Sequence, residues 1–226
     1  MPDAEQTTAI ASDAEPVAAE PAAPVGRKRP KPGERRVQIL EALAAMLEQP
    51  GAERITTAAL AARLEVSEAA LYRHFASKAQ MFEGLIEFIE QTVFGLINQI
   101  LERSGAEGET PPAAAARQAA SIVAMLVQFA ERNPGMTRVM VGDALVFENE
   151  RLQQRMNQFF DKIESTLRQC LRVGADGDGS AAPTVQSQVR ASLLTAFVVG
   201  RLQRFARSGF RRAPSDHLEA CLQQML

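Results

Sequence analysis

Residues Thr56 to Lys78 read TTAALAARLEVSEAALYRHFASK. Leu60, Ala61 and Leu64 recur at helical spacing, Glu65-Val66 breaks the period, and Ala69, Ala70, Leu71 and Phe75 begin a second short apolar face. The spacing predicts two helices joined by a tight turn. Thr56 or Thr57 caps the first, Ser67 the second and Ser77 a third, because each side-chain oxygen accepts from an N–H that an opening helical turn leaves unpaired. Ser67, Glu68, Tyr72, Arg73 and His74 are polar-tipped around the outward face of the second helix, with Ala69 small among them. Such a face enters a DNA major groove, Arg73 and His74 reaching phosphates or purine acceptors while small residues allow close approach. An ordinary helical hairpin shares the periodicity, so the outward residues carry the DNA reading.

Beyond periodicity there is a resemblance. VSEAALYRHFASKAQMF resembles the end of the helix-turn-helix and the start of the fourth helix in TetR-type regulators, and ITTAALAARLEVSEAALYRHF is closer to one branch, the nucleoid occlusion (SlmA) factors. LIEFIE at Leu85 to Glu90, ERNPGMTR at Glu131 to Arg138 and RLQQRMNQFFDKIESTLRQCLR at Arg151 to Arg172 are similar to the same branch. The resemblance therefore covers roughly residues 33 to 226. It implies an all-α, TetR-like fold of about nine helices, with a three-helix DNA-binding domain over 33–93 and a helical dimerisation and partner-binding domain over 94–226. It also implies a homodimer on palindromic double-stranded DNA and a second partner, the C-terminal tail of the division protein FtsZ. Disruption of FtsZ polymers would then block septum formation over the nucleoid.

Family position and chemistry together assign the DNA residues. Thr56 and Thr57 donate to phosphate at the entrance of the second helix. Ser67, Ala69, Tyr72, Arg73 and His74 serve the groove, and Lys78 a flanking phosphate. For the FtsZ tail the resemblance points to Phe88, Met125, Arg132 and Asn133. Three segments depart from the branch: the acidic N-terminal extension, the longer loop after Ser104, and GADGDGS from Gly174.

The charge distribution fits a DNA binder once the chain is divided. The whole chain carries −2, but residues 1–26 hold five acids and no Lys or Arg, so without them the charge is +3. Residues 27–36 alone balance at +5. That arm can lie along phosphates and add salt-dependent, sequence-independent affinity. The Ala/Pro-rich residues 1–32 lack the basic start and apolar core of a signal peptide and read as a disordered tail whose acids compete with DNA for the arm. No apolar run reaches 18 residues, so no membrane partner is expected, and the location expected is cytoplasmic, on the nucleoid. Cys170 and Cys221 lack metal-ligand spacing and read as reduced thiols.

The remaining helices follow from pattern. The first spans about Glu34–Gln49, with Val37, Leu40, Ala44 and Leu47 on one stripe. The fourth runs from Ser77, in a Ser-Lys-Ala-Gln capping box, to about Arg103. Its core stripe gathers Phe82, Leu85, Ile86, Ile89, Val93, Leu96, Ile97 and Ile100, leaving Phe88 on the flank with Met81. The fifth covers about Ala113–Arg132, the sixth Met136–Phe147, the seventh Asn149–Val173, the eighth Val185–Arg207 and the ninth Pro214–Met225. Between Ala191 and Val199 the eighth is apolar all round, which one core layer cannot cover, so Leu193, Leu194, Phe197, Val198 and Gly200 are expected at a dimer interface.

No catalytic constellation, phosphate loop or metal spacing occurs, and no cofactor is expected. The competing functional reading is a ligand-responsive TetR-type repressor, in which a small molecule in the larger domain shifts the recognition helices. A dimeric scaffold without DNA is a third.

Overall fold

A computed structural model describes residues 33–49, 55–103, 108–146, 148–175 and 183–226. The expected disordered tail, most of the basic arm, residues 104–107 of the loop after Ser104 and most of the GADGDGS loop lie outside them. The described residues form nine α-helices and one 3-10 turn, without a strand among them. The first unit is α1 (Glu34–Leu47), α2 (Thr57–Arg63) and α3 (Glu68–Tyr72), followed by the long α4 (Lys78–Glu102). Then come α5 (Pro111–Arg132), α6 (Pro134–Met140), a 3-10 turn (Asp143–Leu145), α7 (Glu150–Ala175), α8 (Pro183–Arg207) and α9 (Leu218–Met225).

The caps form where the side chains allow. Thr56 accepts from the Ala59 N–H at 3.1 Å, Ser67 from Ala70 at 3.3 Å and Ser77 from Gln80 at 3.2 Å. The box at α4 closes one residue early, since Gln80 Oε1 accepts from the Ala76 N–H at 2.8 Å and not from that of Ser77. Between α2 and α3 the Val66 N–H donates to the Ala61 carbonyl and that of Glu65 to Ala62, at 3.0 and 3.1 Å. This double closure requires a left-handed residue, and Glu65 supplies it at φ 53°.

α1, α3 and α4 meet over Ile39, Leu43, Leu47, Leu71, Phe75, Phe82 and Leu85, all buried. Gly84 permits the approach: a Cβ there would lie 3.0 Å from Phe75 Cε1 and 3.4 Å from Leu40 Cδ2. Three expectations need correction. Val37 is 47% exposed, because burial along α1 begins only at Ile39, and Met81 is buried while its supposed companion Phe88 is not. Leu96 is only partly buried.

α4 and α7 run in parallel, with Lys78 paired to Glu148, Glu90 to Arg155 at 2.6 Å, and Phe94 edge-on to Phe159 at 5.7 Å. α5 packs against α4, α7 and α8 and buries Ala119, Ile122, Val123, Leu126, Val127 and Ala130. By length and composition α5 could cross a membrane, but that buried set accounts for its apolarity as core. It begins at Pro111, earlier than expected, because Thr110 caps it and proline suits the first helical position. α6 starts at Pro134 and stops at Met140, short of the expected Phe147, since Gly142 turns left-handed at φ 82°. α9 begins only at Leu218, after His217 at φ 55°.

α6 joins the two units. A Cβ on Gly135 would sit 1.9 Å from the Ala44 carbonyl oxygen, so α1 and α6 touch backbone to backbone. Arg138, held by Asp143 at 3.1 Å, also donates to the Leu47 carbonyl at 3.4 Å. The helix-turn-helix is thereby seated on the larger bundle.

Candidate nucleic-acid and partner interface

The DNA-reading surface is the outward side of α2 and α3. Thr56, Ser67, Glu68, Ala69, Tyr72, Arg73 and His74 are exposed, while Leu71 and Phe75 anchor the other side. Thr56 and Ser67 use their oxygens as caps and keep their hydroxyl protons for an outside acceptor. Thr57 donates to Glu68 Oε2 at 2.6 Å and accepts from the Tyr72 hydroxyl at 3.5 Å. That bond fixes the entrance of α2 to α3, so Thr57 reaches a phosphate only by exchanging Glu68 for it.

α3 is shorter than its sequence face. Arg73 caps its C-terminus and His74 lies past it, so both side chains project from the turn into α4, at the rear of the recognition helix. Arg36 belongs by sequence to the basic arm, yet its guanidinium stands 4.2 Å from the Phe75 ring centroid and donates to the His74 carbonyl at 3.1 Å. Its partner lies 38 residues away in sequence, a separation that no local signal announces. Lys78 does not stand free for a flanking phosphate either. Its ammonium is paired with Glu148, and the Phe82 centroid is 5.7 Å away.

The second surface lies around Phe88, which is 41% exposed. It sits one turn beyond Gly84, whose face Leu40 and Phe75 cover, so it emerges where the cover of α1 ends. On α5, Met125 and Arg132 are seven residues apart and share a face. Met125 is partly buried against the core, and Arg132 is exposed at the last turn. Gln118 Nε2 donates to the Leu101 carbonyl at 3.4 Å, setting the register of α5 on α4. Thirteen residues back from Leu101 is Phe88 and thirteen on from Gln118 is Glu131, roughly 20 Å in each case, which levels Phe88 with the Arg132 end. Asn133 faces inward instead: its Nδ2 donates to the Phe129 carbonyl at 2.7 Å, so it shapes the α5–α6 corner.

α8 divides the residues expected at a dimer interface. Leu194 and Val198 are within the protomer's own core, at 0% and 1% exposure, because α8 turns that face to α5 and α7. Leu193 is exposed, and with Val185 and Val189 it forms a stripe at four-residue spacing that continues past half-buried Phe197 to Gly200. Nothing lies within 4 Å of a Cβ built on Gly200. Val185 and Val189 lie before the all-apolar segment, and only the direction of the stripe marks them.

Family models match both parts of the chain: the bacterial regulatory proteins of the tetR family over residues 39–85, and the SlmA-like, tetracyclin repressor-like C-terminal domain over residues 116–226. The chain is 50% identical over 190 residues to the nucleoid occlusion factor SlmA of Vibrio vulnificus, covering 84% of this chain and 92% of that one. It is 49% identical over 191 residues to the SlmA of Idiomarina loihiensis, covering 84% and 93%. Among solved structures, the fatty acid degradation regulator FadR of Bacillus halodurans superposes with a TM-score of 0.68 over 87% of this chain and 97% of its own, at 13% identity, a likeness of fold alone.

Proposed function

Because this chain belongs to the SlmA family of nucleoid occlusion factors within the TetR-type regulators, we propose that it acts as a DNA-bound homodimer that captures FtsZ tails and keeps septa from forming over the chromosome. In this reading residues 33–93 hold DNA and residues 94–226 pair the chains and receive FtsZ. The single observation that carries it is kinship near 50% identity across both units. The exposed α2–α3 face and the open Phe88 supply surfaces of the required kinds.

The mechanism is co-localisation without bond chemistry. Two recognition helices about one duplex turn apart engage successive major grooves and favour a palindromic site. Phosphate contacts, Arg73 at the rear of α3 among them, position the dimer, and Tyr72 and the small Ala69 approach the bases. Several dimers on one DNA segment raise the local concentration of tail sites, so weak single contacts add up along a filament.

A ligand-gated repressor requires polar groups converging on an internal pocket. Among the described residues the buried hydroxyls are those of Thr137, Ser187 and Thr195, and each already donates to a backbone carbonyl, at 2.9, 3.0 and 2.9 Å. Asp143 Oδ1 is the one buried side-chain oxygen left without a partner among the described residues, too little to orient a ligand by itself, which favours the adaptor. The deciding experiment retains FtsZ on immobilised duplex selected from genomic fragments. Capture should require the protein, fail with Arg132→Asp, and fail with Tyr72→Ala/Arg73→Ala through loss of DNA. A protein that holds DNA but never retains FtsZ refutes the proposal.

A further inference from the structure

α2 and α3 together carry one acid, Glu68, the first residue of α3, and it stands exposed on the face that the proposed function turns to DNA. A carboxylate is out of place there on charge alone, since a duplex carries one negative charge per about 1.7 Å of its axis. No cation of the protein offsets it: among the described residues none pairs with Glu68. Its position is fixed nonetheless. Thr57 Oγ1 donates to Glu68 Oε2 at 2.6 Å, and the Tyr72 hydroxyl donates to the same Thr57 oxygen at 3.5 Å. Glu68 and Tyr72 are one helical turn apart and share a face of α3, and exposed Ala69 adds only a methyl group beside the carboxylate.

Thr57 belongs to the neighbouring helix, so the carboxylate is oriented before any duplex arrives. Its second oxygen, Oε1, has no hydrogen-bond partner among the described residues. An acceptor held in this way has few donors to meet in a major groove. Phosphates offer none, and the base edges offer two amino groups, N4 of cytosine and N6 of adenine. Adenine sets the acceptor N7 beside its amino group, and a carboxylate is repelled by it. Cytosine has only the C5–H on that side.

We infer that Glu68 reads a cytosine: Oε1 accepts from the N4 amino group of one cytosine in each half-site while Thr57 keeps hold of Oε2. The inference rests on the proposal that this chain binds duplex DNA. The first residues of a recognition helix are those that reach base edges, and Glu68 opens α3. The same carboxylate rejects other sequences, because it then faces the acceptors of guanine or thymine with nothing to offset the repulsion. Glu68 is thus a specificity-determining residue, and Thr57 is the positioning residue that aims it.

The test lets the full chain and its variants select duplexes from a randomised pool. The parent should fix cytosine at one position of each half-site, and changing that base pair alone should weaken binding about tenfold. Glu68→Gln should move the preference at that position to adenine and keep the other selected bases, because an amide both donates and accepts and so matches N7 with N6. Glu68→Ala should leave the position open and raise affinity for unrelated duplex, since a charge of the wrong sign is gone. Thr57→Val should blur the cytosine preference and Thr57→Ser should keep it; a valine variant that reads cytosine as sharply as the parent overturns the aiming role. If both Glu68 variants select the same bases as the parent, with or without a uniform loss of affinity, Glu68 reads no base, and the inference falls while the proposed function stands. Parent protein that binds no duplex overturns both.

Discussion

Arg36 lies over the face of Phe75, its guanidinium carbon 4.2 Å from the ring centroid, while one of its nitrogens donates to the His74 carbonyl at 3.1 Å. One side chain from the first turn of α1 thus closes the C-terminal end of the recognition helix and covers the ring that anchors it. Replacing Arg36 by Ala should cost about 1 kcal/mol, since an exposed cation–π contact and one hydrogen bond each contribute somewhat less than that. Lysine should recover part of it, because an ammonium stacks but cannot present the planar fork. Urea unfolding midpoints of the three proteins check the order, and equal midpoints would remove the clamp.

The turn between α2 and α3 carries a cost that glycine would not. Glu65 sits at φ 53° to complete the double hydrogen-bonded closure, and a side chain in that region costs about 1 kcal/mol. Glu65→Gly should therefore match or exceed the parent in stability, whereas Glu65→Val, β-branched, should lose at least about 1 kcal/mol. A thermal melt in which valine outlasts glycine would contradict this.

Much of this unit was legible in sequence because its signals are local. Thr56, Ser67 and Ser77 cap within three residues of themselves, and the break at Glu65-Val66 marks a turn that closes over five. What escaped was set by distant partners. Lys78 meets Glu148 across 70 residues, Arg36 meets His74 across 38, and Glu131 meets Ser215 across 84. Periodicity gives a helix face but not which neighbour covers it, so by pattern alone Met81 falls on the flank with Phe88 and Val37 in the core. Pattern starts α9 at Pro214 and the structure at Leu218, because left-handed His217 carries no sequence mark of its own.

Gly135 is where the DNA unit and the bundle depend on one hydrogen atom. A Cβ would fall 1.9 Å from the Ala44 carbonyl oxygen and 2.8 Å from its carbon, both backbone atoms that no rotamer change can move. Gly135→Ala should cost about 3 kcal/mol or more by forcing α6 off α1, and DNA affinity should fall with it. Gly95→Ala, with nothing within 4 Å, serves as the control and should be neutral or slightly stabilising. Paired calorimetry and duplex titration decide the matter.

The two thiols should differ in reactivity. Burial pushes Cys170 above its ordinary value of 9.0, with Arg117 only partly opposing it, and its Sγ lies 3.6 Å from the Ala115 carbonyl and 3.4 Å from Gln118. A neutral form favoured by folding stabilises the protein below the unfolded thiol's pKa and is lost as pH rises through the folded value. Stability should thus decline above about pH 9, and less so in Cys170→Ala. Iodoacetamide at pH 8 should label half-exposed Cys221 before Cys170. The reverse order would place Cys170 nearer solvent than its packing allows.

Leu193 and Leu194 are adjacent in sequence and opposite in consequence. Leu194 is wholly buried among α5 and α7, whereas Leu193 is 48% exposed on a stripe with Val185 and Val189. A charge at Leu194 must be desolvated in the protomer core, so Leu194→Glu should unfold the chain or cost at least about 3 kcal/mol. A charge at Leu193 meets water in the monomer and apolar surface only if a second copy packs there. Leu193→Glu with Val189→Glu should therefore leave the helical circular dichroism intact while shifting sedimentation from dimer to monomer. DNA affinity should fall with it, because each half-site is then held alone. If the doubly charged protein stays dimeric, the chains meet elsewhere, and the exposed stripe of α8 needs another explanation.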